Sequence, residues 1–364
     1  MASVVKIHAE NPYQSHIGLG LLKSCGDIIS AVHPLCKIAL ISDTNTSPLY
    51  ADDVIRSLKT VGYDVVQYVI PSGEGNKNIN TYYTVLEFLA DNEITRSDML
   101  VSLGGGVVGD LTGFAAATYM RGIPYAHIAT SLLSMVDSSI GGKTGLNLQS
   151  GKNLCGAFYD PIAVICSIET LETLPRANFE DGIGEVFKYA LLGNERILKV
   201  LQGVAENYDP ASLYFNLRPH IEEIIEESIL TKVSFVVSDP LDKGSRHYLN
   251  LGHTIGHAIE HSSRYSISHG RAVSIGICSM ARAAEELGMS EAGTADKIIS
   301  LASSIGLPTT CPITSNKDLY NSILSDKKRN GISIDIIVPV SLGKCEIKTI
   351  PIQNLQEILR LGVK

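Results

Sequence analysis

The pattern of hydrophobic and polar positions differs between the two halves of the chain. In the first third, three short runs of apolar and β-branched residues are each followed by a segment with helical periodicity; they lie at positions 37–42, 64–70 and 98–103. Runs that are apolar throughout are typical of strands buried on both faces of a sheet. Strands and helices that alternate at this interval predict βαβ units and a parallel sheet.

From about residue 180 the apolar positions recur with a helical period, most clearly at 219–237, 253–261 and 273–287. We therefore expect an all-helical C-terminal half. The last strand-like run, 163–168, ends just before Leu174-Pro175-Arg176, which predicts two domains, residues 1–175 and 176–364. Because no low-complexity linker separates the halves, they are expected to pack closely. A cleft between them is then the default position for chemistry.

The composition restricts the function classes. The chain has 364 residues, of which 45% are hydrophobic and 19% are charged, as is typical of a globular protein. Its formal net charge of −8 argues against a protein that binds the phosphates of nucleic acids. The apolar runs fall far short of the roughly 18 residues that span a bilayer, and the N-terminus lacks an export pattern. We expect a cytoplasmic protein that binds neither nucleic acid nor membranes.

A glycine-rich turn follows the third predicted strand. Gly104, Gly105, Gly106 and Gly109 fit the pattern G-x-G-x-x-G between a strand and a helix. Glycines let the backbone approach a pyrophosphate, and the helix N-terminus attracts its negative charge. The turn is therefore a candidate dinucleotide site in a Rossmann-like domain. The acidic ribose partner expected about 20 residues later is missing, the nearby charged residue being Arg121; a purely structural tight turn is the alternative.

Polar groups also follow the first and second predicted strands. The first is followed by Asp43-Thr44-Asn45 and the second by the segment 72–77, which includes Glu74 and Lys77. Ligands of parallel sheets bind beyond the carboxyl ends of the strands, so three such loops together favour a dinucleotide. Each loop taken singly is also compatible with helix capping.

A segment with two lysines carries the decisive resemblance. Lys143 and Lys152 lie next to glycines, as point cations that recognise phosphate or carboxylate would. The segment reads V-D-S-S-I-G-G-K-T-G-L-N from Val136, followed by G-K-N-L and G-A-F. It resembles the signature of the 3-dehydroquinate synthase family, among the sugar-phosphate cyclases, and the match continues in order from Asp43 to Lys328.

The second half contains a histidine-rich motif. His253, His257 and His261 recur every four residues and fall on one helix face, so spacing alone nominates His253 and His257 as zinc ligands. The seven cysteines are scattered without a C-x-x-C pair and indicate no thiolate site. The motif resembles the family's L-N-x-G-H-T-x-G-H-A-I-E. That resemblance implies instead that zinc, with Co²⁺ as a possible substitute, binds Glu185, His253 and His269, and that His257 is an acid/base. His247 and His261 are interpreted as ordinary polar residues.

The resemblance implies further site residues. Those expected to bind NAD are Asp43, Asn45, Glu74, Lys77, Gly105, Gly106, Val107, Asp110, Thr130, Ser131, Asp137, Lys143, Lys152, Thr170, Leu171 and Thr173. Those expected to bind the substrate or move its protons are Arg121, Asp137, Lys143, Asn153, Lys188, Lys232, Asp242, Arg246, Asn250, His257, Lys327 and Lys328. Arg271, next to His269-Gly270, stands where the family commonly has glutamate.

The resemblance also implies the reaction and the fold. The substrate would be 3-deoxy-D-arabino-heptulosonate 7-phosphate, a sugar phosphate of the shikimate pathway. It would be oxidised transiently by NAD, lose phosphate, be reduced again and close by an intramolecular aldol step to 3-dehydroquinate. The expected architecture is an NAD-binding α/β domain plus an all-α metal- and substrate-binding domain, in a homodimer.

Three alternatives stay open. The first is another sugar-phosphate cyclase, such as a 2-deoxy-scyllo-inosose or epi-valiolone synthase, against which the complete signature and Arg246 argue. The second is a metal-dependent glycerol or alcohol dehydrogenase, which would not need so many phosphate-binding lysines. The third is a non-catalytic NAD-binding or scaffold protein, which would not require Glu185, His253 and His269 together with the cations.

Overall fold

The chain forms two compact units, Met1–Pro175 and Arg176–Lys364. The computed structural model describes residues 2–206, 213–240, 242, 244–313, 315–327 and 332–364. No described helix is both long enough and apolar enough to cross a membrane.

The described part of the first unit contains nine strands and four α-helices. The strands are β1 (Ser3–Ile7), β2 (Tyr13–Gly18), β3 (Lys37–Asp43), β4 (Asp64–Ile70), β5 (Met99–Gly104), β6 (Tyr125–Ala129), β7 (Lys143–Leu148), β8 (Gly151–Phe158) and β9 (Ala163–Ser167). The helices are α1 (Cys25–Ser30), α2 (Ser47–Val61), α3 (Ile79–Asp91) and α4 (Gly106–Thr118).

Seven of these strands form one sheet in the order β1-β2-β9-β6-β5-β3-β4. All pairings are parallel except that of β1 with β2. The remaining two strands, β7 and β8, form an antiparallel hairpin. The hairpin carries Lys143 and Lys152 of the signature segment.

The central strands are buried on both faces because helices cover both. Alternate residues of β3 enter different cores: Ile38 and Leu40 pack in the cluster that contains α2, whereas Ala39 and Ile41 pack in the cluster that contains α3 and α4. This explains why the strand is apolar at nearly every position.

The connections of the sheet create a switch point. From β3 the chain passes to β4 on one side and then returns to β5 on the other side of β3. In open parallel sheets, ligands bind at the carboxyl ends of the strands at such a point. We name the loops that follow β3, β4, β5, β6 and β9 the carboxyl edge.

The second unit is mainly helical. Its helices are α5 (Arg176–Leu191), α6 (Glu195–Ala205), α7 (Leu213–Leu217), α8 (Ile221–Ser238), α9 (His253–Ser262), α10 (His269–Glu286), α11 (Thr294–Ser304), α12 (Asn316–Lys327) and α13 (Leu355–Gly362). Two strands, β10 (Ser333–Ser341) and β11 (Lys344–Pro351), form an antiparallel hairpin. The expectation that this half is entirely helical therefore misses the hairpin, whose Ile334, Ile336 and Val338 pack in the same core as α9, α10 and α13.

Candidate active site

The glycine turn joins β5 to α4. Gly105 is the N-cap residue of α4 and has no side chain to bond the first amides of the helix. A Cβ at Gly105 would lie 3.1 Å from the hydroxyl of Ser131, and one at Gly106 would lie 2.9 Å from that of Ser138. Glycines therefore let these two hydroxyls pack against the first turn of α4, and they carry no side chain that would cover its amides from an approaching pyrophosphate. Val107 continues the same turn.

The loop after β3 is fixed to the glycine turn. Oδ1 of Asp43 accepts hydrogen bonds from the amides of Asn45 (2.9 Å) and Thr46 (2.8 Å). The hydroxyl of Thr46 in turn donates to the carbonyl of Leu103 at the end of β5 (3.0 Å). The structure thus brings Asp43 and the turn to one edge, with the side chain of Asn45 exposed.

Lys77 links three segments that are distant in sequence: the loop after β4, helix α4 and strand β8. Its ammonium forms an ion pair with Asp110 and donates to Oδ1 of Asn153 (2.7 Å). Asn147 connects Asn153 to Glu74 through bonds of 2.9 and 2.8 Å. Burial opposes the charged form of Lys77, but the negative charges of Asp110 and Glu74 outweigh it and raise its pKa. A buried cation next to the glycine turn is the result.

The lysines of the signature segment lie on the hairpin. Lys143 is exposed at the start of β7, and Lys152 is half-buried in β8. Lys143 lines a small pocket together with Asp110, Ser138 and Ser139. Asp137 lies in the π-helical turn Ser134–Ser138, a distortion that is frequent at functional sites.

The ends of β6 and β9 complete the carboxyl edge. The amide of Thr130 donates to the carbonyl of Gly104 (3.0 Å), which places Thr130 and Ser131 beside the turn. Thr170 and Leu171 are buried after β9, and the exposed Thr173 forms a short hydrogen bond with Tyr50.

Arg121 is not at the glycine turn. It follows the opposite end of α4, whose 13 residues separate it from the turn by about 20 Å of helix. Its side chain is exposed, and its φ of +68° places it in the left-handed region. The first unit therefore does not bring Arg121 to the predicted cofactor residues.

In the second unit, three side chains converge from three helices. Nε2 of His253 lies 3.4 Å and Nε2 of His269 lies 3.2 Å from Oε1 of Glu185. The carboxylate of Glu185 is fully buried, and its Oε2 forms an ion pair with Lys188 one turn later in α5. We name Glu185, His253 and His269 the histidine cluster. Spacing alone paired His253 with His257, but it is His269 that faces the same carboxylate oxygen.

Glycines at the helix contacts explain this convergence. A Cβ at Gly184 would lie 2.2 Å from the carbonyl oxygen of Gly270, so only glycine lets α5 approach α10 so closely. The amide of Gly270 also donates to Oδ1 of Asp181 (2.6 Å). Because Glu185 follows Gly184 and His269 precedes Gly270, the backbone contact places the two ligand candidates side by side.

Burial and neighbouring charges shift the pKa values of the cluster residues in different directions. Burial works against ionisation of Glu185, but Lys188 and His253 hold its pKa well below the usual range. Burial lowers the pKa of His253. For His269 burial acts in the same direction, but hydrogen bonds to Glu185 and Glu260 and the charges of these carboxylates raise its pKa to about 10.

His257 lies one turn after His253 and differs in exposure. Its side chain is exposed, and its ring centroid is 5.3 Å from that of His253 and 5.9 Å from that of His269. It can therefore exchange protons with solvent while remaining next to the cluster. His261 is exposed near Tyr265, and His247 lies 3.5 Å from Asp335.

The predicted anion-binding residues of this unit are buried cations. Lys188 is 1%, Lys232 7% and Arg246 2% exposed. Arg246 lies in the short helix Ser245–Asn250 and donates to the carbonyl of Pro240 (3.0 Å), with Asn250 half-buried at its end.

Asp242, Lys327 and Lys328 are the remaining predicted residues of this unit. Asp242 has a φ of +57°, and its carbonyl contacts His247. Lys328 and the side chain of Lys327 lie outside the described residues.

The sequence interpretation missed three residues near these sites. Glu260 is buried and contacts His269, although it ends the quoted motif. His127 is buried beneath α4 and bonds the hydroxyls of Ser102 and Ser134; a Cβ at Gly109 would lie 2.7 Å from its ring. A polar residue within the apolar run of β6 is the signal that could have identified it. Asp181 was quoted only as a neighbour of Glu185.

The overall architecture resembles solved sugar-phosphate cyclases. A 2-deoxy-scyllo-inosose synthase, solved with carbaglucose-6-phosphate, NAD⁺ and Co²⁺, matches with a TM-score of 0.84 and 23% identity over 99% of this chain and 100% of its own. The 2-epi-5-epi-valiolone synthase from Streptomyces hygroscopicus subsp. jinggangensis 5008, with NAD⁺ and Zn²⁺, matches with a TM-score of 0.84 and 21% identity over 96% of each chain. These likenesses confirm the predicted fold class.

The sequence relatives identify the family. The model of the 3-dehydroquinate synthase N-terminal region matches residues 67–181, and that of the C-terminal region matches residues 182–329. A 3-dehydroquinate synthase of Streptococcus suis is 41% identical over 96% of this chain and 97% of its own length. The resemblance and the main functional prediction are confirmed, and the alternatives are not favoured. The chain belongs to the 3-dehydroquinate synthase family.

Proposed function

We propose that this chain converts 3-deoxy-D-arabino-heptulosonate 7-phosphate to 3-dehydroquinate and phosphate, with NAD as a catalytic cofactor and Zn²⁺ as the metal. The observation that carries the proposal is the convergence of Glu185, His253 and His269 next to Lys188. The same unit buries two further cations, Lys232 and Arg246, and it matches the C-terminal region of the 3-dehydroquinate synthase family. Residues 1–175 would bind NAD, and residues 176–364 would bind metal and substrate.

The histidine cluster fits a divalent metal. Oε1 of the buried Glu185 carboxylate faces two imidazole nitrogens within 3.4 Å, and its Oε2 faces the ammonium of Lys188. Two histidines and one carboxylate are a donor set of catalytic zinc sites. When bound, the metal would polarise substrate oxygens and make a hydroxyl more acidic. Lys188 would neutralise the second oxygen of Glu185 and keep that carboxylate oriented.

The carboxyl edge fits a dinucleotide. The open turn at Gly105 and Gly106 gives access to the amides that begin α4, and it lies at the switch point of the sheet. Lys77 and Asp110 adjoin this turn, and Lys143 and Lys152 extend the positive charge along the hairpin. When bound, NAD would accept and return a hydride.

The substrate carries a phosphate and a carboxylate, and the second unit supplies matching charges. Lys188, Lys232 and Arg246 are almost completely buried, so their positive charges act in a medium of reduced dielectric. Arg246 has a planar guanidinium that can bind a carboxylate or phosphate through two bonds, and its backbone is fixed by Asp239. These residues would orient the anionic groups, with Asn250 as a neutral donor.

Proton transfer would use His257. Its exposed imidazole can take a proton from a substrate oxygen and pass it to solvent, whereas the rings of His253 and His269 face Glu185. Asp242 is a second proposed proton carrier.

The decisive experiment follows phosphate release and NADH absorbance together. The purified chain with the heptulosonate phosphate, Zn²⁺ and a small amount of NAD⁺ should release phosphate in large excess over NAD⁺ while NADH does not accumulate. Glucose 6-phosphate in place of the substrate should release none. Steady NADH formation from glycerol without phosphate release, or turnover of glucose 6-phosphate alone, would contradict the proposal.

A homodimer in the cytoplasm remains part of this proposal. The support is the family membership of the chain, whose relatives are biosynthetic enzymes. Light scattering during size-exclusion chromatography tests the dimer, and a mass of one chain, 39.1 kDa, would contradict it.

A further inference from the structure

We propose that Glu260 is a positioning residue of the metal site. Its carboxylate would hold His269 in the tautomer and ring orientation that present Nε2 to the metal. This inference rests on the metal site proposed above and adds a residue to which the family motif gave no role.

The geometry places the His269 ring between two carboxylates. Nδ1 of His269 lies 3.0 Å from Oε2 of Glu260, whereas Nε2 lies 3.2 Å from Oε1 of Glu185. Glu260 is only 3% exposed, so water does not compete effectively for its carboxylate. If Nδ1 donates its hydrogen to Glu260, Nε2 keeps a free lone pair, which is the form a metal ligand requires.

His253 has the same arrangement with a neutral partner. Its Nδ1 lies 3.0 Å from the carbonyl oxygen of Leu251, and its Nε2 faces Glu185. Both imidazoles of the cluster thus have Nδ1 at an acceptor and Nε2 toward the same carboxylate oxygen. The acceptors differ in charge. The negative carboxylate of Glu260 makes the imidazole of His269 a more basic ligand than a neutral carbonyl acceptor would.

Helix α9 carries both His253 and the residue that contacts His269. Glu260 follows His253 by seven residues, which is two helical turns, so one face of α9 carries both a ligand and the support of the other histidine. The rigid helix fixes the distance between them. His269 is the first residue of α10, so the contact of its Nδ1 with Glu260 joins the start of α10 to α9.

A second metal arrangement uses the same atoms. His257, Glu260 and His269 also offer ligand atoms within 4.8 Å of one another. In that arrangement Nδ1 of His269 would bind the metal instead of donating to Glu260. The number of bound ions distinguishes the two arrangements. If Nδ1 of His269 donates to Glu260, one ion binds per chain, at Nε2. If Nδ1 also binds a metal, two ions bind per chain.

The test measures Zn²⁺ affinity by chelator competition, independently of turnover. Glu260→Ala should weaken binding by roughly 10–100-fold, the usual effect of removing a group that supports a metal ligand. Glu260→Gln should weaken it less because an amide oxygen still accepts the hydrogen bond, and Glu260→Asp should restore part of the affinity. Glu285→Gln is the matched control, because Glu285 bonds the amides of Gly293 and Ala295 away from the cluster.

Spectra give a readout that a purely structural role would not move. The visible absorption of the Co²⁺-loaded protein should shift in Glu260→Gln, and ¹⁵N spectra should show Nδ1 of His269 protonated in the wild-type metal-bound form. Metal affinity and Co²⁺ spectrum unchanged in both Glu260→Gln and Glu260→Ala would overturn the inference, as would two ions per wild-type chain.

His269→Ala separates this inference from the proposed function. If that variant retains stoichiometric zinc, the metal site itself is wrong. If it loses zinc while the Glu260 variants bind as the wild type does, only the positioning role fails. Should Glu260→Ala not fold, the Gln and Asp variants still decide the outcome.

Discussion

The carboxyl edge of the first unit and the histidine cluster of the second unit are built by different means. The edge relies on main-chain groups at the ends of parallel strands, with glycines that leave space at the start of α4. The cluster relies on three side chains from separate helices, aligned by backbone contacts such as that of Gly184 with Gly270.

This difference predicts which substitutions each region tolerates. A site made of backbone amides depends on the space above them and tolerates change in most side chains. A site made of converging side chains depends on the identity of each ligand and on helix spacing. We therefore expect single substitutions to have larger and more specific effects in the cluster than at the edge.

Loss of a ligand should have the largest effect. Glu185→Ala and His269→Ala each remove one of three donors, so zinc affinity should fall by well over the roughly 100-fold typical of losing a supporting group. His257→Ala should retain zinc at one ion per chain but lose activity. Metal analysis after gel filtration checks this, and zinc lost from His257→Ala instead would reverse the assignment.

Gly184→Ala should separate the helices that hold the ligands. The added Cβ would collide with the main chain of Gly270, which cannot rotate away. The free energy of unfolding should therefore fall by about 3 kcal/mol. Zinc affinity should fall as well. Gly203→Ala in α6, where nothing lies within 4 Å of the added Cβ, is the control and should stabilise the chain slightly. Equal denaturation midpoints for the two variants would disprove the spacing argument.

Acid should weaken the first unit through His127. Burial lowers its pKa to about 4, so the folded state keeps the ring neutral where the unfolded state binds a proton. This contribution to stability is complete above pH 6.5 and is lost as the pH falls toward 4. Between pH 7 and pH 5 the free energy of unfolding should fall by about 2 kcal/mol from this residue. Urea denaturation of the wild type and His127→Asn should show a shallower pH dependence for the variant; parallel curves would exclude His127 as the cause.

Gly106→Ala should affect the edge alone. Its Cβ would approach the hydroxyl of Ser138, which can rotate, so folding should be preserved while the pyrophosphate loses space. We expect NAD affinity to fall about tenfold, or about 1.4 kcal/mol, with zinc affinity unchanged. Calorimetric titration with NAD⁺ measures this, with Gly75→Ala, which meets no atom within 4 Å, as the matched control.

Arg271→Ala should have the smallest effect despite its place beside the cluster. The guanidinium is 43% exposed and contacts Glu180, which also binds Arg176. Because the guanidinium is largely solvated and Arg176 still neutralises the buried Glu180, the pair should contribute only roughly 0.2–1 kcal/mol. Zinc affinity should equal that of the wild type, and a clear change in it would mean that Arg271 acts on the metal.

The parallel sheet could be predicted from sequence because its signal is local. Strands such as β3 and β5 are apolar throughout and alternate with helices, and a few neighbouring residues suffice to recognise them. The hairpin of β10 and β11 was missed, since a short run that pairs with another short run is hard to distinguish from part of a helical half.

The histidine cluster could not be derived from spacing. His253 and His257 are visible as a local pair, but Glu185 lies 68 residues before His253, and it reaches the cluster only because α5 and α10 meet at Gly184. Family resemblance supplied Glu185 and His269 where periodicity could not. The same resemblance named Arg121, which the first unit places far from the glycine turn, and it gave no role to Glu260.

The pairing of β2 with β9 has a consequence for how the first unit is made. It joins residues such as Gln14 and Ala163, about 150 positions apart, at one side of the sheet. On the ribosome, the N-terminal hairpin of β1 and β2 must wait for almost the whole unit to be synthesised before its neighbour exists. Contacts of such sequence separation slow folding and leave an unpaired strand exposed to other chains meanwhile. The nascent chain is therefore most exposed to aggregation during the interval between the synthesis of β2 and that of β9.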